Sequence, residues 1–143
     1  MSRLDGLKVL VVEDDCLIAA AMCAALEGLG AEVIGPASTV EEGLSRLDSA
    51  EVEAAILDVN LGADLVYPIA DRLIARKVPI VFSTGFPVFE MPIQYWHLPR
   101  QDKPYCGTEL AKRLAAMCDM AAKAGYPAFL GPDPDRERQA LCA

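Results

Sequence analysis

The chain has no run of lysine and arginine, no C-x-x-C pair, a single histidine, and no apolar stretch long enough to cross a bilayer. Its 13 basic residues face 21 acidic ones, a formal net charge of −8, so the average field repels a nucleic-acid phosphate backbone. With no basic stripe to offset that field, a DNA-binding reading is excluded. The five cysteines, Cys16, Cys23, Cys106, Cys118 and Cys142, are odd in number and scattered. That argues against a disulfide framework or zinc site and predicts reduced, buried thiols. The longest apolar stretch, Leu17 to Leu26, is too short for a membrane span. It follows Glu13-Asp14-Asp15, where a secretory signal would carry positive charge. A cytoplasmic protein that meets neither membrane nor nucleic acid is the expectation. His97 reads as a surface residue, since no second His or Cys is placed to help it.

What is present is an ordinary globular composition. The 143 residues, 53% apolar and 24% charged, fit one domain with a single core. Lys8 to Val12 is a β-branched run, reading as a buried strand that ends in three acids. Helix formers follow from Cys16 to Leu29, stopped by Gly28 and Gly30. Glu32 to Gly35 is a second strand, and Ser38 or Thr39 caps a helix whose first turn holds Glu41 and Glu42. Ala54 to Asp58 is a third strand ending in an acid. A turn through Gly62 leads to a helix from about Leu65 to Lys77. Pro79 opens a fourth strand, Ile80 to Thr84. A short fifth strand leads to Lys103-Pro104, and Thr108 to Lys123 is expected to form a closing helix.

Strands alternating with helices predict βαβ units and a parallel sheet covered on both faces. Ligands of such sheets bind beyond the carboxyl ends of the strands. Glu13, Asp14, Asp58, Thr84 and Lys103 all stand at such ends and are expected to converge on one cleft. Crowded carboxylates repel unless a cation sits among them, and Mg²⁺ suits one or two carboxylates plus a phosphate. Alone, Glu13-Asp14-Asp15 reads as a turn that caps the next helix. An acid on the third strand and a lysine on the fifth turn the balance toward a phosphoryl site. Asp58 is the candidate nucleophile, with the cation and Lys103 neutralising phosphoryl oxygens and the Thr84 hydroxyl within reach of one.

The set Val9 to Asp15, Ile56 to Asn60, Phe82 to Gly85 and Lys103-Pro104 resembles the receiver domain of two-component response regulators over about Leu7 to Lys123. The resemblance implies a flavodoxin-like, CheY-like, doubly wound sheet of five parallel strands in the order 2-1-3-4-5. It implies that Glu13 and Asp14 are the metal-binding acids and Asp58 the phosphoacceptor. The backbone carbonyl of Asn60 would complete the Mg²⁺ site, Thr84 would be the switch hydroxyl, and Lys103 would contact phosphate. Pro104 matches the family's cis-proline, which orients that lysine. The donor implied is a histidine kinase or histidine phosphotransfer protein. The receiver itself supplies much of the catalysis, and a population shift then changes its protein-binding surface.

Two departures stand out. The family's aromatic residue three positions before the lysine is Arg100 here. Pro87, Pro92 and Pro99 interrupt the stretch where a fourth helix belongs, so that helix is expected to be shortened or missing. Phe86, Phe89, Met91, Ile93, Tyr95 and Trp96 crowd this stretch, either packing down in place of the helix or forming an exposed patch. The expected domain is 1–124, with 125–143 a tail too short for a DNA-binding output domain. Its output would then be contact with a downstream protein, as a monomer or weak homodimer. A degenerate receiver that works without phosphorylation, and a small Mg²⁺-dependent aspartyl phosphohydrolase, remain the alternatives.

Overall fold

The chain is described by a computed structural model that covers residues 4–85, 87, 90–103 and 109–116. Five short strands form one parallel sheet: β1 (Lys8–Val12), β2 (Glu32–Ala37), β3 (Ala54–Asp58), β4 (Ile80–Thr84) and β5 (Arg100–Asp102). Their spatial order is β2-β1-β3-β4-β5, the expected flavodoxin-like arrangement. Between them run α1 (Cys16–Gly28), α2 (Val40–Ser49) and α3 (Tyr67–Ala75).

The near-continuous apolar strands follow from burial on both faces. Side chains alternate across the sheet, and the two core clusters divide the strands residue by residue. Leu10, Val12, Ala55, Leu57, Ile80 and Phe82 pack toward α2 and α3. Val9, Val11, Ala54, Ile56 and Val81 pack toward α1 and a helix at 109–116, meeting Met22, Leu26, Leu110 and Leu114. The Ala-rich α1 therefore lays one face, Ala19, Met22 and Leu26, on the sheet and turns small residues outward. Caps fix where the helices begin. Asp15 Oδ1 accepts from the backbone N–H of Leu17 and Ile18 at the start of α1, and Thr39 Oγ1 accepts from that of Glu42 at the start of α2. Each such cap is worth about 1 kcal/mol.

Several boundaries differ from expectation. β2 runs two residues further, to Ala37, past an irregularity in its pairing with β1. A side chain at Gly35 (φ +105°) would press on Val11 O at 2.9 Å, so only glycine lets the two backbones approach there. The third helix starts at Tyr67 rather than Leu65. Asn60–Leu61 and Asp64–Leu65 instead pair as a small antiparallel hairpin around Gly62, whose φ is +68°. Pro68 sits in the first turn of α3, where its missing N–H costs nothing.

Between β4 and β5 the described residues are 85, 87 and 90–99. Among the described residues of this stretch the longest helical run is the three-residue 3₁₀ turn Ile93–Tyr95. Both readings of its apolar residues hold in part. Met91, Tyr95 and Leu98 are buried in the core, whereas Ile93 and Trp96 are 75% and 43% exposed. His97 is half-buried, not a surface residue, and its Nε2 is enclosed without a hydrogen-bond partner. Cys16 is likewise exposed rather than buried, because it opens α1 on the solvent side, while Cys23 is half-buried. Phe86, Phe89, Pro104, the other three cysteines, Thr108 and residues 117–123 of the expected closing helix, and the tail lie outside the described residues. Among the described residues no helix is long and apolar enough to cross a membrane.

Candidate functional site

The site is assembled by strand ends. Backbone bonds continue the sheet pattern one residue beyond the strands. Glu13 N–H donates to Ala37 O (2.9 Å), Val59 N–H to Ser83 O (3.1 Å) and Lys103 N–H to Thr84 O (2.9 Å). These bonds hold Glu13, Asp58, Thr84 and Lys103 on one rim of the sheet, where they line a cleft of about 400 Å³ with Asp14, Asp15, Ile18, Asn60, Gly62 and Gly85. All six residues singled out from the sequence thus share one cleft. Ile18, Gly62 and Gly85 escaped that reading because none carries a reactive group.

Within the cleft, carboxylate oxygens of Glu13, Asp14 and Asp58 lie within 4.8 Å of one another. Glu13 and Asp58 are 2% and 3% exposed, and Asp14 faces solvent. Lys103 Nζ reaches across to Asp58 Oδ2 (3.3 Å) and Glu13 Oε2 (3.4 Å). Glu13 Oε1 accepts from Asp15 N–H (3.1 Å), and Asp58 Oδ1 from Asn60 N–H (3.3 Å). Asp15 also lines the cleft, but its carboxylate caps α1, so the acid triplet divides into two clustered carboxylates and one cap.

Burial is the largest cause that disfavours charge here. It pushes the Glu13 carboxyl up to about 7, with neighbouring Asp58 adding to the rise and the Lys103 cation opposing it. Burial also raises Asp58, against the pull of neighbouring Glu13 and of Lys103. One lysine does not neutralise three crowded acids. Glu13 Oε2 is buried and, apart from its ion pair with Lys103 at 3.4 Å, accepts no hydrogen bond. Hard oxygen donors that close together, one of them open to water, fit a small divalent cation such as Mg²⁺.

Arg100, at the position where an aromatic side chain was expected, lies on β5, and its carbonyl accepts from Arg113 on the closing helix. Two buried aromatics and one half-buried one cluster elsewhere. Tyr95 stacks on Tyr67 (centroids 4.5 Å apart, planes 7° apart) and meets Phe82 edge-on (6.0 Å, 81°). Its hydroxyl donates to Asp71 on α3. No motif in the sequence announced this cluster.

No family model matches the chain. It is 38% identical to SdrG of Sphingomonas melonis Fr1, whose solution structure superposes with a TM-score of 0.67 over 81% of this chain and 98% of that one. The BeF3-activated conformation of SdrG, from Pseudomonas melonis Fr1, matches at 38% identity and a TM-score of 0.64 over 77% of this chain and 94% of that one. A CheY-like response regulator receiver domain from Methanospirillum hungatei JF-1 shares the fold at 21% identity, with a TM-score of 0.74 over 84% and 99% of the two chains. The phyllosphere-induced regulator PhyR of Methylorubrum extorquens is 35% identical over 83 residues, 56% of this chain. That match spans only 31% of the regulator's own length.

Proposed function

The chain belongs to the response-regulator receiver family, signalling proteins rather than conventional enzymes, and we propose that it is switched by transfer of a phosphoryl group to Asp58. The observation that carries this reading is the contact of Asp58 with Lys103, Glu13 and Asp14 at the mouth of one cleft. Such a constellation answers the needs of phosphoryl transfer, where positioning and charge neutralisation do most of the work.

In the proposed step an Asp58 carboxylate oxygen attacks the phosphorus of a phosphohistidine carried by a histidine kinase or phosphotransfer protein. A P–O bond forms as the P–N bond breaks, and the departing imidazole keeps the bonding pair and takes up a proton. Lys103 follows the charge from the carboxylate to the phosphoryl oxygens. Glu13, Asp14, Asp58 and the backbone carbonyl of Asn60 would hold Mg²⁺, which when bound neutralises those oxygens further. Thr84, buried at the end of β4, offers its hydroxyl to one of them.

The output would be contact with another protein through an altered surface, with residues 1–124 as the receiver and 125–143 as a tail. The BeF3-activated conformation described for the 38% identical SdrG supports a switch of this kind, since BeF3 on a carboxylate stands in for an acyl phosphate.

The test is intact mass after incubation with Mg²⁺ and acetyl phosphate. One added phosphoryl group in the wild type, absent from Asp58→Ala, is the expected result. No addition under any condition would favour a receiver that works without phosphorylation, and rapid turnover of many phosphoesters would favour a hydrolase.

A further inference from the structure

Tyr95 connects two segments that leave the site in different directions. On one side it meets Phe82, two residues before Thr84 on the same face of β4. On the other it stacks on Tyr67, which opens α3 just after the hairpin that follows Asp58. That hairpin is tied back beneath the site, because Val66 N–H donates to Val59 O at 3.0 Å. Asp71, which accepts the Tyr95 hydroxyl, lies one turn beyond Tyr67 on α3. A single side chain thus grips α3 twice, by ring and by hydroxyl, while touching the strand that ends in Thr84.

The other side of the same short segment faces solvent. In a 3₁₀ turn residues three apart eclipse, so Ile93 and Trp96 form one exposed apolar pair. The Trp96 indole is fixed by its Nε1–H donating to Met91 O at 2.7 Å, and Trp96 N–H donates to Ile93 O at 3.1 Å. Where Tyr95 goes, this pair goes with it.

From this geometry we infer that the Tyr95–Asp71 hydrogen bond is a latch that holds the 91–98 segment, and with it the Ile93–Trp96 pair, in the arrangement belonging to the unmodified site. In the same structure Lys103 rests directly on the Asp58 carboxylate, 3.3 Å away, a contact that a phosphoryl group on Asp58 would have to displace. The inference rests on the reading that Asp58 accepts a phosphoryl group. A ligand at Asp58 shifts the segment only by its differential affinity for the two arrangements, and the latch opposes that shift. Opening the latch therefore eases activation. One hydrogen bond of ordinary net strength, as to the solvent-exposed Asp71, corresponds to a change on the order of three- to tenfold in apparent affinity.

Trp96 is the chain's one tryptophan and reports on the segment directly. The experiment titrates the full chain, in Mg²⁺, with beryllofluoride as the probe and follows tryptophan emission in wild type, Tyr95→Phe and Asp71→Ala. Asp71 is exposed, so its truncation leaves the core untouched even if Tyr95→Phe disturbs packing. The expected result is a saturable emission change in the wild type. Each variant should then show a half-saturating concentration lowered about three- to tenfold, and a resting emission moved toward the wild type's saturated value. Half-saturation within about twofold of wild type in both variants overturns the latch. So does an emission that ignores beryllofluoride while intact mass shows phosphorylation of Asp58, an outcome that leaves the phosphorylation reading standing. A chain that takes up neither probe nor phosphoryl group overturns both.

Discussion

Lys103 Nζ lies 3.3 Å from Asp58 Oδ2 and 3.4 Å from Glu13 Oε2, so one cation bridges two buried carboxylates at the ends of different strands. Its position depends on the backbone as much as on charge, because Lys103 N–H also donates to Thr84 O. If Lys103 contacts the phosphoryl group as proposed, removing its side chain strips the phosphoryl oxygens of that cation while leaving both acids in place. Lys103→Ala should therefore stay folded but accept phosphoryl from acetyl phosphate more slowly, on the order of a hundredfold, in a time course of intact mass. A wild-type rate would remove Lys103 from the account.

Crowding three carboxylates for function has a cost in stability. Without metal, Asp58→Asn should unfold at higher urea than wild type, by roughly 1–2 kcal/mol, because burial works against charge on Asp58. Mg²⁺ should raise the wild-type midpoint, by about 2.7 kcal/mol at a hundredfold excess over Kd, and should leave the variant nearly unmoved. Equal Mg²⁺ responses in the two proteins would show that the acids do not hold the ion.

The Tyr95 phenol is pushed up to about 12, first by burial and then by its hydrogen bond to Asp71. A phenol with a raised folded pKa favours the folded state while it keeps its proton. That contribution is fully present below the ordinary value of 10 and is lost as pH climbs toward 12. The stability difference between wild type and Tyr95→Phe, read from urea midpoints, should accordingly shrink or reverse over this window. A difference that stays constant would mean the tyrosine ionises as freely folded as unfolded.

Gly43 sits inside α2 where the helix passes over α3, and a Cβ there would collide with Ile69 Cδ1 and touch Val12. Alanine gains about 1 kcal/mol of helix propensity. Forcing a methyl against fully buried Ile69 costs about 1–3 kcal/mol and decides the sign. Gly43→Ala should lower the urea midpoint; a rise would show that Ile69 moves aside freely.

Much of this architecture is legible in the residues themselves. Apolar runs of the right length marked β1, β3 and β4 to the residue, and acids or hydroxyls at their ends located the cleft. The hairpin after Asp58 was hidden because each of its strands is two residues long, too short for any period to register. Asp15 was ambiguous for a different reason. The same side chain serves a metal or a helix cap, and only the distances to Leu17 and Ile18 N–H decide for the cap. In the 91–98 stretch the aromatic content was plain. Which residues turn inward depends on a 3₁₀ turn and on Tyr67 and Asp71, far off in sequence, so no local pattern separated Tyr95 from Trp96.

Of all the acids in the chain, Asp58 is the one proposed to carry the phosphoryl group. An acyl phosphate is reduced by borohydride to an alcohol, which turns aspartate into homoserine and leaves free carboxylates alone. Peptide mass mapping after Mg²⁺, acetyl phosphate and borohydride should find homoserine at position 58 and nowhere else. Homoserine at Asp14 or another aspartate, the five-carbon amino alcohol 5-hydroxynorvaline at Glu13 or another glutamate, or neither alcohol while phosphate is incorporated, would contradict the account.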